Sequence, residues 1–506
     1  MNKEQWIQNL NSLQNGSDVR GIAMEGIEGE KVNLTPEAAN VIAGAFACWL
    51  AKKKNVEKKV LRIGIGHDSR LTADSLMEGA MMGLIHQGAS VYDCGLVSTP
   101  SMFMTTVYTE MQFDGAIMIT ASHLPFNRNG LKFFDRDGGL EKENIKELLA
   151  IAAELAPAGE DMEDVERVDS LSYYCNALCR KIREGVKAED YNHPLTGLKV
   201  VVDAGNGAGG FFVKKVLKPL GADTAGSQFL EPDGMFPNHI PNPENKEAME
   251  SIQKAVIDNA ADLGIIFDTD VDRMSAVLPD GTAVNRDKII ALMAAIIAKD
   301  YPGGTVVTDS VTSDRLTRFI EGKLGMKHLR YKRGYKNVID KQIELNKNHV
   351  VTPLAIETSG HGAMSENYFL DDGAYMAVKL LIAAALAKRE GADLASCIAD
   401  MPDGFEEREY RFRIDGDNYK EYGDRVLAEF EQKARARGLY VVPESYEGIR
   451  ISFRTEEIRG WLLLRMSLHE PLMPLNMEGE REGDCDRMVG LVRELLEDYE
   501  QLTLPF

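Results

Sequence analysis

The chain has 506 residues, of which 44% are hydrophobic and 27% are charged, and its formal net charge is −21. This length is too great for one ordinary hydrophobic core and predicts three or four domains of a soluble globular protein. The strong negative charge argues against binding to nucleic acid and to anionic membranes. Six cysteines are too few for a disulfide scaffold. Because the N-terminus is polar and the longest apolar run is too short to cross a bilayer, we expect a cytoplasmic protein.

The first part of the chain alternates apolar runs with helical patterns, which predicts an α/β domain. Near its start, Arg20 stands beside Gly21, so that a guanidinium and a closely approaching backbone can bind an anion together. A helix is predicted over residues 36–53 and a buried strand over residues 60–66. The sequence HDSR at residues 67–70 ends that strand, and we interpret it as structural.

Residues 114–135, DGAIMITASHLPFNRNGLKFFD, carry a hydroxyl, an imidazole and an ammonium group in one strand–loop–strand unit. Proline, asparagine and glycine at residues 125–130 predict the loop. Ser122 is a potential nucleophile, His123 a possible proton carrier and Lys132 a cation. Because a serine hydroxyl reacts poorly by itself, we expect a metal, cations or backbone N–H groups beside it. A hairpin with an incidental Ser-His pair remains the alternative.

A second α/β unit begins around residue 170 and contains a glycine-rich turn, GNGAGG, at residues 205–210. This turn satisfies the dinucleotide-binding string G-x-G-x-x-G after a predicted strand and before a predicted helix. The neighbouring Asp203 would repel a pyrophosphate. A dinucleotide site and a structural turn are therefore both open at this point.

An acidic loop, DTDVDR at residues 268–273, follows the predicted buried strand 263–267. Asp268, Asp270 and Asp272 occupy alternate positions, so an extended chain directs their carboxylates to one side. Three hard oxygen donors suit Mg²⁺, which keeps open positions for phosphate oxygen and water. A solvated acidic turn is the alternative.

Three later polar loops follow, of which the second and third carry groups suited to a sugar and to a phosphate. The basic turn YKRGYK at residues 331–336 contains Lys332. The carboxylate of Glu357 and the hydroxyl of Ser359 suit the vicinal hydroxyls of a sugar. Arg465, close to the hydroxyl of Ser467, suits a phosphate. Each of these loops is also compatible with an ordinary polar turn or a solvated strand end.

Residues 403–506 have fewer glycines and more alternating strands, which predicts an α+β domain.

Together these loops resemble those of the α-D-phosphohexomutases, the phosphomannomutase/phosphoglucomutase superfamily. Residues 119–134 resemble that family's phosphoserine loop, TASHNP followed by NG and a lysine. The remaining loops resemble its D-[IV]-R-G, D-x-D-x-D-R, K-x-G, G-E-x-S-G-H and R-x-S-x-T-x-P patterns, in family order. The chain departs from them at Leu124, Ile356 and His469, where the family has asparagine, glycine and threonine.

The resemblance implies an α/β fold class, with three related α/β mixed-sheet domains plus a C-terminal α+β domain around a central cleft. The implied domains are residues 1–168 with the phosphoserine loop, 169–282 with the metal loop, 283–402 with the sugar-binding loop and 403–506 with the phosphate-binding loop.

The implied activity is the interconversion of hexose 1-phosphate and hexose 6-phosphate, of mannose and/or glucose, through phospho-Ser122. One Mg²⁺ per chain would be the metal, with hexose 1,6-bisphosphate as intermediate and activator, in a monomer or dimer. A phosphoglucosamine mutase and a metal-dependent sugar phosphatase are the alternatives. The implied catalytic residues are Ser122, His123, Lys132, Arg20 and Arg273. The implied metal ligands are Ser122, Asp268, Asp270 and Asp272. The implied substrate-binding residues are Lys332, Glu357, Ser359, His361, Arg465, Ser467 and His469.

Overall fold

The computed structural model describes residues 2–157, 159, 165–416, 418–467 and 470–506. It divides into two compact units. Unit 1 contains Met1–Asn285, Ser359–Gly362 and Leu370–Leu394, and unit 2 contains Arg286–Thr358, Ala363–Phe369 and Ala395–Phe506. Each helix of the described residues is too short or too polar to cross a bilayer.

The first sheet, in unit 1, has eight strands of mixed direction. From edge to edge its strands are Gln14–Asn15, Asp18–Ile22, Arg128–Asp135, Gly115–Ile119, Arg62–His67, Ser90–Leu96 and Glu166–Arg167, with Gly138–Gly139 paired to Arg128–Asp135. Its helices are Lys3–Ser12, Pro36–Lys54, Ala73–His86, Thr99–Met104 and Lys142–Ala152. The helix Pro36–Lys54 begins at the N-cap Thr35, and its apolar residues are buried against this sheet.

The second sheet, also in unit 1, has four strands, one of which is the buried strand Leu263–Phe267. In order its strands are Ala283–Val284, Met274–Val277, Leu263–Phe267 and Val200–Asp203. Its helical segments are Ser170–Val186, Phe212–Leu217, Lys218–Leu220 and Lys246–Asn259. The strand Leu370–Asp371 and the helix Gly373–Arg389 return to unit 1 later in the chain, where Arg389 donates to the carbonyl of Val186 at 2.8 Å.

Unit 2 contains the fourth sheet and most of the third sheet. Neighbouring strands of the third sheet are Lys327–Arg330, Thr305–Thr308, Leu354–Ile356 and Gly362–Met364. Its helical segments are Asp287–Ile297, Asp314–Thr317, Arg318–Lys323, Tyr335–Lys347 and Ala395–Ile398. The fourth sheet is antiparallel, with strands Tyr440–Val441, Ile449–Arg454, Arg459–Leu464, Leu472–Gly479, Glu406–Ile414 and Leu502–Thr503 in order. Helices Tyr419–Ala436 and Asp484–Leu496 pack on it.

Buried arginines join the third and fourth sheets within unit 2. Arg450 donates to Asp314 at 2.8 Å and lies over the ring of Trp461 at 4.0 Å. Arg315 makes two hydrogen bonds to Glu478, at 2.8 and 2.6 Å. Such paired and desolvated charges would be costly to separate, so these two sheets form one body.

The predicted fold class, three α/β domains followed by a domain with a sheet of different character, is confirmed. Two local expectations are wrong. The loop predicted over residues 125–130 is shorter, because the strand Arg128–Asp135 already pairs with Asp18–Ile22 from its first residue. The helix expected after Val200–Asp203 is a short π-helical segment, Phe212–Leu217. The domain limits and the central cleft stay predictions.

Candidate active site

Ser122 lies in the turn between the antiparallel strands Gly115–Ile119 and Arg128–Asp135. Its side chain is buried, and its φ of 50° lies in the left-handed region that residues other than glycine rarely adopt. Its Oγ donates to Oδ2 of Asp268 at 3.0 Å and accepts from Nη2 of Arg273 at 3.0 Å. The hydroxyl is therefore held between a carboxylate and a guanidinium, in a strained turn of the kind found at functional sites.

The acidic loop follows the strand Leu263–Phe267, and its three aspartates are buried. One oxygen from each of Asp268, Asp270 and Asp272 lies within 4.8 Å of the other two. Nζ of Lys132 donates to Oδ2 of Asp272 at 2.5 Å and lies 3.4 Å from Oδ2 of Asp270. Burial and the charges of Asp272 and Asp270 raise the pKa of Asp268 well above its usual value.

These carboxylates fit a divalent cation. Within the described residues, Oδ1 of Asp270 and Oδ1 of Asp272 are buried without a hydrogen-bond partner. Leaving charged oxygens desolvated and unsatisfied is costly, and a hard cation removes that cost. The structure thus contains a candidate metal centre built from the predicted residues.

Arg273 links the acidic loop to the Ser122 turn. Its backbone N–H donates to Oδ1 of Asp268 at 3.3 Å, while its Nη2 donates to both Oγ of Ser122 and Nδ1 of His123. Burial, Arg273 and Arg20 together lower the pKa of His123 to about 3, so this imidazole is neutral at pH 7. Arg20 itself is half-buried and donates to Asp18 at 2.9 Å.

The predicted sugar-binding loop, residues 356–361, contributes its last residues to unit 1. Oγ of Ser359 and Nδ1 of His361 are 2.8 Å apart. The backbone of His361 forms a bridge with Arg273, and its Nε2 lies 3.7 Å from carboxylate oxygens of Asp272 and Asp371. Burial, followed by Arg273, lowers the pKa of His361 well below its usual value. The structure therefore brings Ser359 and His361 to the acidic loop.

Glu357 and Lys332, the predicted residues of the third domain, lie in unit 2. Glu357 is buried, and its Oε1 accepts a hydrogen bond at 2.7 Å from the backbone N–H of Gly334 in the basic turn. Lys332 is exposed on the same turn. The carboxylate predicted to bind sugar thus also orders the backbone beside the predicted phosphate-binding cation.

Arg465 and Ser467, the predicted residues of the fourth domain, also lie in unit 2. Nη1 of Arg465 is 3.6 Å from Oε1 of Glu447, and Oε2 of Glu447 accepts from the backbone N–H of Arg333 at 3.1 Å. The N–H of Ser467 donates to the carbonyl of Leu472 at 2.9 Å. His469, expected in place of the family threonine, lies outside the described residues.

Sequence reasoning missed three groups that contact predicted site residues or their backbone, two in unit 1 and one in unit 2. Thr99 donates through its hydroxyl to Oδ2 of Asp270 at 2.5 Å and through its N–H to the carbonyl of Asp270 at 2.9 Å. Glu447 joins the basic turn to Arg465, as described above. Arg70 binds backbone of the Ser122 turn. The sequence carries a signal only for Thr99, at the start of a helix beside Pro100, and for Arg70, which follows Asp68 just after a strand.

The glycine-rich turn is structural. The N–H of Ala208 donates to the carbonyl of Thr269 at 2.8 Å, and a Cβ at Gly207 would lie 2.6 Å from that oxygen. The backbone of the acidic loop therefore occupies the place where a pyrophosphate would approach, and the dinucleotide alternative is excluded.

Comparisons with known proteins identify the family of the chain. Models of the phosphoglucomutase/phosphomannomutase family match residues 12–157 as α/β/α domain I, 174–281 as domain II and 285–405 as domain III. A phosphoglucomutase/phosphomannomutase from Thermococcus kodakarensis is 30% identical over 95% of this chain and 97% of its own. A phosphoglucomutase from Neisseria gonorrhoeae is 29% identical over 96% of this chain and 97% of its own.

A solved structure agrees as well. The crystal structure of a phosphoglucomutase/phosphomannomutase family protein from Burkholderia thailandensis superposes with a TM-score of 0.78 at 25% identity, covering 98% of this chain and 99% of the other. The similarity spans both units of the chain. The chain therefore belongs to the phosphoglucomutase/phosphomannomutase family, whose members are phosphotransferase enzymes of the mutase type.

Proposed function

We propose that this protein interconverts the 1-phosphate and 6-phosphate of a hexose, mannose and/or glucose, with Ser122 as the phosphoryl carrier. The observation that carries the proposal is the position of the Ser122 hydroxyl, 3.0 Å from a carboxylate of the acidic loop and 3.0 Å from the Arg273 guanidinium. Names of relatives that include both phosphoglucomutase and phosphomannomutase support the two hexoses.

The proposed reaction has two balanced halves. First, the bond between Ser122 Oγ and phosphorus breaks as a bond from phosphorus to a hexose hydroxyl oxygen forms, and the hydroxyl proton passes to a base. The resulting hexose 1,6-bisphosphate then reverses its orientation. Its other phosphoryl group returns to Ser122, and the leaving oxygen regains a proton. A trace of the bisphosphate would serve as activator by restoring phospho-Ser122.

Asp268, Asp270 and Asp272 would hold one Mg²⁺ together with an oxygen of phospho-Ser122. When bound, this cation would neutralise charge on the transferring group. The chain's own cations add to that effect. Arg273 already contacts the serine oxygen, and Lys132 is bound to the acidic loop.

The contacts of the four predicted acid/base and charge-stabilising groups suggest different roles. Arginine side chains do not release a proton in proteins, so Arg20 and Arg273 would stabilise charge and transfer no proton. Nδ1 of His123 already accepts from Arg273, which occupies its lone pair. Lys132 is therefore the proposed proton carrier. Lys132→Arg keeps the charge but cannot release the proton, so it should lose kcat while retaining Mg²⁺ binding.

We assign the remaining predicted residues within the described chain to the parts of the substrate that do not react, which are the sugar hydroxyls and the distal phosphate. Glu357, Ser359 and His361 would bind the sugar hydroxyls. Lys332, Arg465 and Ser467 would bind the distal phosphate, for which an exposed ammonium and a guanidinium offer charge-assisted hydrogen bonds.

One assay tests the proposal. The protein is incubated with glucose 1-phosphate, a trace of glucose 1,6-bisphosphate and Mg²⁺. Formation of glucose 6-phosphate is expected, whereas release of free phosphate would indicate a phosphatase and no reaction would contradict an enzymatic role on this substrate. The same assay with mannose and glucosamine phosphates then determines the preferred hexose.

A further inference from the structure

One buried guanidinium binds four carbonyl groups of the turn that carries Ser122. Nη1 of Arg70 donates to the carbonyl oxygens of Pro125 and Arg128, each at 2.8 Å. Its Nη2 donates to those of Ser122 at 2.5 Å and Leu124 at 2.6 Å. The Arg70 side chain is 0% exposed, so these bonds are made without competition from water.

A second route joins Arg70 to the backbone of Ser122. Oδ1 of Asp68 accepts from the N–H of Arg70 at 3.0 Å, and Oδ2 of Asp68 accepts from the hydroxyl of Thr120 at 2.7 Å. Oγ1 of Thr120 in turn accepts from the N–H of Ser122 at 2.9 Å. The buried ion pair of Arg70 and Asp68 thus fixes both the C=O of Ser122, through Arg70, and its N–H, through Asp68 and Thr120.

The ring of Phe236 covers the guanidinium, with the Arg70 carbon 5.3 Å from the ring centroid. Phe236 belongs to a loop rich in proline and asparagine at residues 232–244, PDGMFPNHIPNPE. Arginine stacks well on an aromatic face while its edge donates hydrogen bonds. The guanidinium is therefore fixed from its face as well as from its edge.

These contacts keep the turn from relaxing to a backbone conformation without strain at Ser122. The left-handed φ of Ser122 persists only where the surroundings over-determine it. Because the peptide unit is planar, holding the Ser122 carbonyl toward Arg70 directs the N–H of His123 the opposite way. The four bound carbonyls also cannot turn toward a phosphoryl group, whose charge they would repel.

We propose that Arg70 is a positioning residue for phosphoryl transfer, which holds the turn so that Ser122 Oγ stays between Asp268 and Arg273. The inference rests on the proposed function. A purely structural Arg70 would contribute to stability alone. A positioning Arg70 also determines the rate of transfer without binding the substrate.

Arg70→Lys is the test variant, because a tetrahedral ammonium with three donors cannot reproduce four bonds from a planar group. We expect kcat to fall by about 10²-fold, as for other small misplacements of a reacting group, with KM within about twofold of the wild-type value. Amide exchange of residues 121–128, followed by mass spectrometry, should become faster, while exchange in the strand Leu263–Phe267 stays unchanged. A wild-type kcat, or unchanged exchange in the turn, would overturn the inference.

Arg315→Lys is the matched control. Arg315 is also buried and donates to Glu478 and to the carbonyl of Pro402, which belong to no proposed site. It should lower the melting temperature without accelerating exchange of residues 121–128. If Arg70→Lys does not fold, Thr120→Val removes the second route alone and should lower kcat by about tenfold; an unaltered kcat in that variant would contradict the proposal.

The exchange measurement needs no substrate, so it separates the two ideas. Failure of the wild-type protein to convert any hexose phosphate would refute the proposed function and leave the effect of Arg70 on the turn intact. Wild-type exchange of residues 121–128 in Arg70→Lys would refute the positioning role even if the mutase assay succeeds.

Discussion

Replacing Asp270 with asparagine should change the stability of unit 1 in opposite directions with and without Mg²⁺. In the absence of a cation, Asp270 lies within 4.8 Å of the oxygens of two other aspartates, which costs roughly 3.5 kcal/mol for each pair at an effective dielectric constant of about 20. The attraction between Asp270 and Lys132, which is 3.4 Å away, offsets roughly 5 kcal/mol of this cost at the same dielectric constant. At a pH at which Asp268 and Asp272 are both ionised, the carboxylate is therefore net destabilising by roughly 2 kcal/mol without a metal.

Asparagine keeps the oxygen that accepts from Thr99 and adds N–H donors beside Asp268 and Asp272. In EDTA, Asp270→Asn should therefore melt higher than wild type, by roughly 4 °C. In Mg²⁺ the order should reverse. Wild type gains about 2.7 kcal/mol at a concentration 100 times its Kd, whereas the variant has lost one of three ligands and gains far less.

The assay is calorimetric melting of both proteins in EDTA and over a series of Mg²⁺ concentrations. Asp262→Asn is the control, because Asp262 lies just before the strand Leu263–Phe267 but binds Lys388 and the N–H of Lys199. Its effect should be the same in EDTA and in Mg²⁺. If Asp270→Asn shows the same Mg²⁺-induced shift as wild type, the acidic loop is not the metal site and the electrostatic reasoning fails.

Three further predictions concern other parts of the chain. Ser122→Ala should abolish turnover without loss of stability, and intact-mass analysis should find a species one phosphoryl group heavier in wild type but not in the variant; retained turnover would remove Ser122 from the mechanism. Arg465→Ala should raise KM and lower kcat in steady-state kinetics by about 10- to 150-fold in kcat/KM, the value of a charge-assisted bond to phosphate; an unchanged kcat/KM would leave the fourth domain without a role in binding. Burial would raise the pKa of Asp314, but Arg450 and Arg330 outweigh it and lower the pKa to about 2, so its ionisation stabilises the fold above pH 3.8 and that contribution is lost as the pH falls through about 2. Asp314→Asn should thus be less stable by about 2 kcal/mol at pH 5, with the difference in urea midpoint shrinking toward pH 2.5; a constant difference would contradict this ion pairing.

Groups that a local pattern brings together could be predicted from the sequence. The strand Leu263–Phe267 was predicted with its observed limits, because five apolar residues before an acidic turn fit a buried strand and little else. The crowding of Asp268, Asp270 and Asp272 follows from alternation along one extended segment. Their contacts with Ser122 and Lys132 do not follow from periodicity, since they join positions more than a hundred residues apart. The family resemblance implies the one with Ser122, as a shared set of metal ligands, and does not imply the one with Lys132.

Arg70 marks the limit of this reasoning. An arginine after Asp and Ser at a strand end has the same local sequence whether it is solvated or buried, because its partners here are backbone carbonyls. Every residue has a carbonyl, so no residue type in the Ser122 turn indicates that a guanidinium lies beneath it. The signal is the cost of burial itself, which becomes visible when the side chain is found desolvated with both of its terminal nitrogens hydrogen-bonded.

The predicted sugar-binding loop, residues 356–361, illustrates a different limit. Residues of one contiguous sequence motif can have different roles in the structure. In sequence, Glu357, Ser359 and His361 form one pattern and were assigned one task. In the structure the carboxylate of Glu357 orders the backbone of Gly334 in unit 2, whereas His361 lies beside Asp272 in unit 1. The boundary between the units falls between Thr358 and Ser359. Residues only two positions apart in this motif therefore lie in different units and make different contacts. A role assigned to the motif as a whole has to be tested at each of its residues.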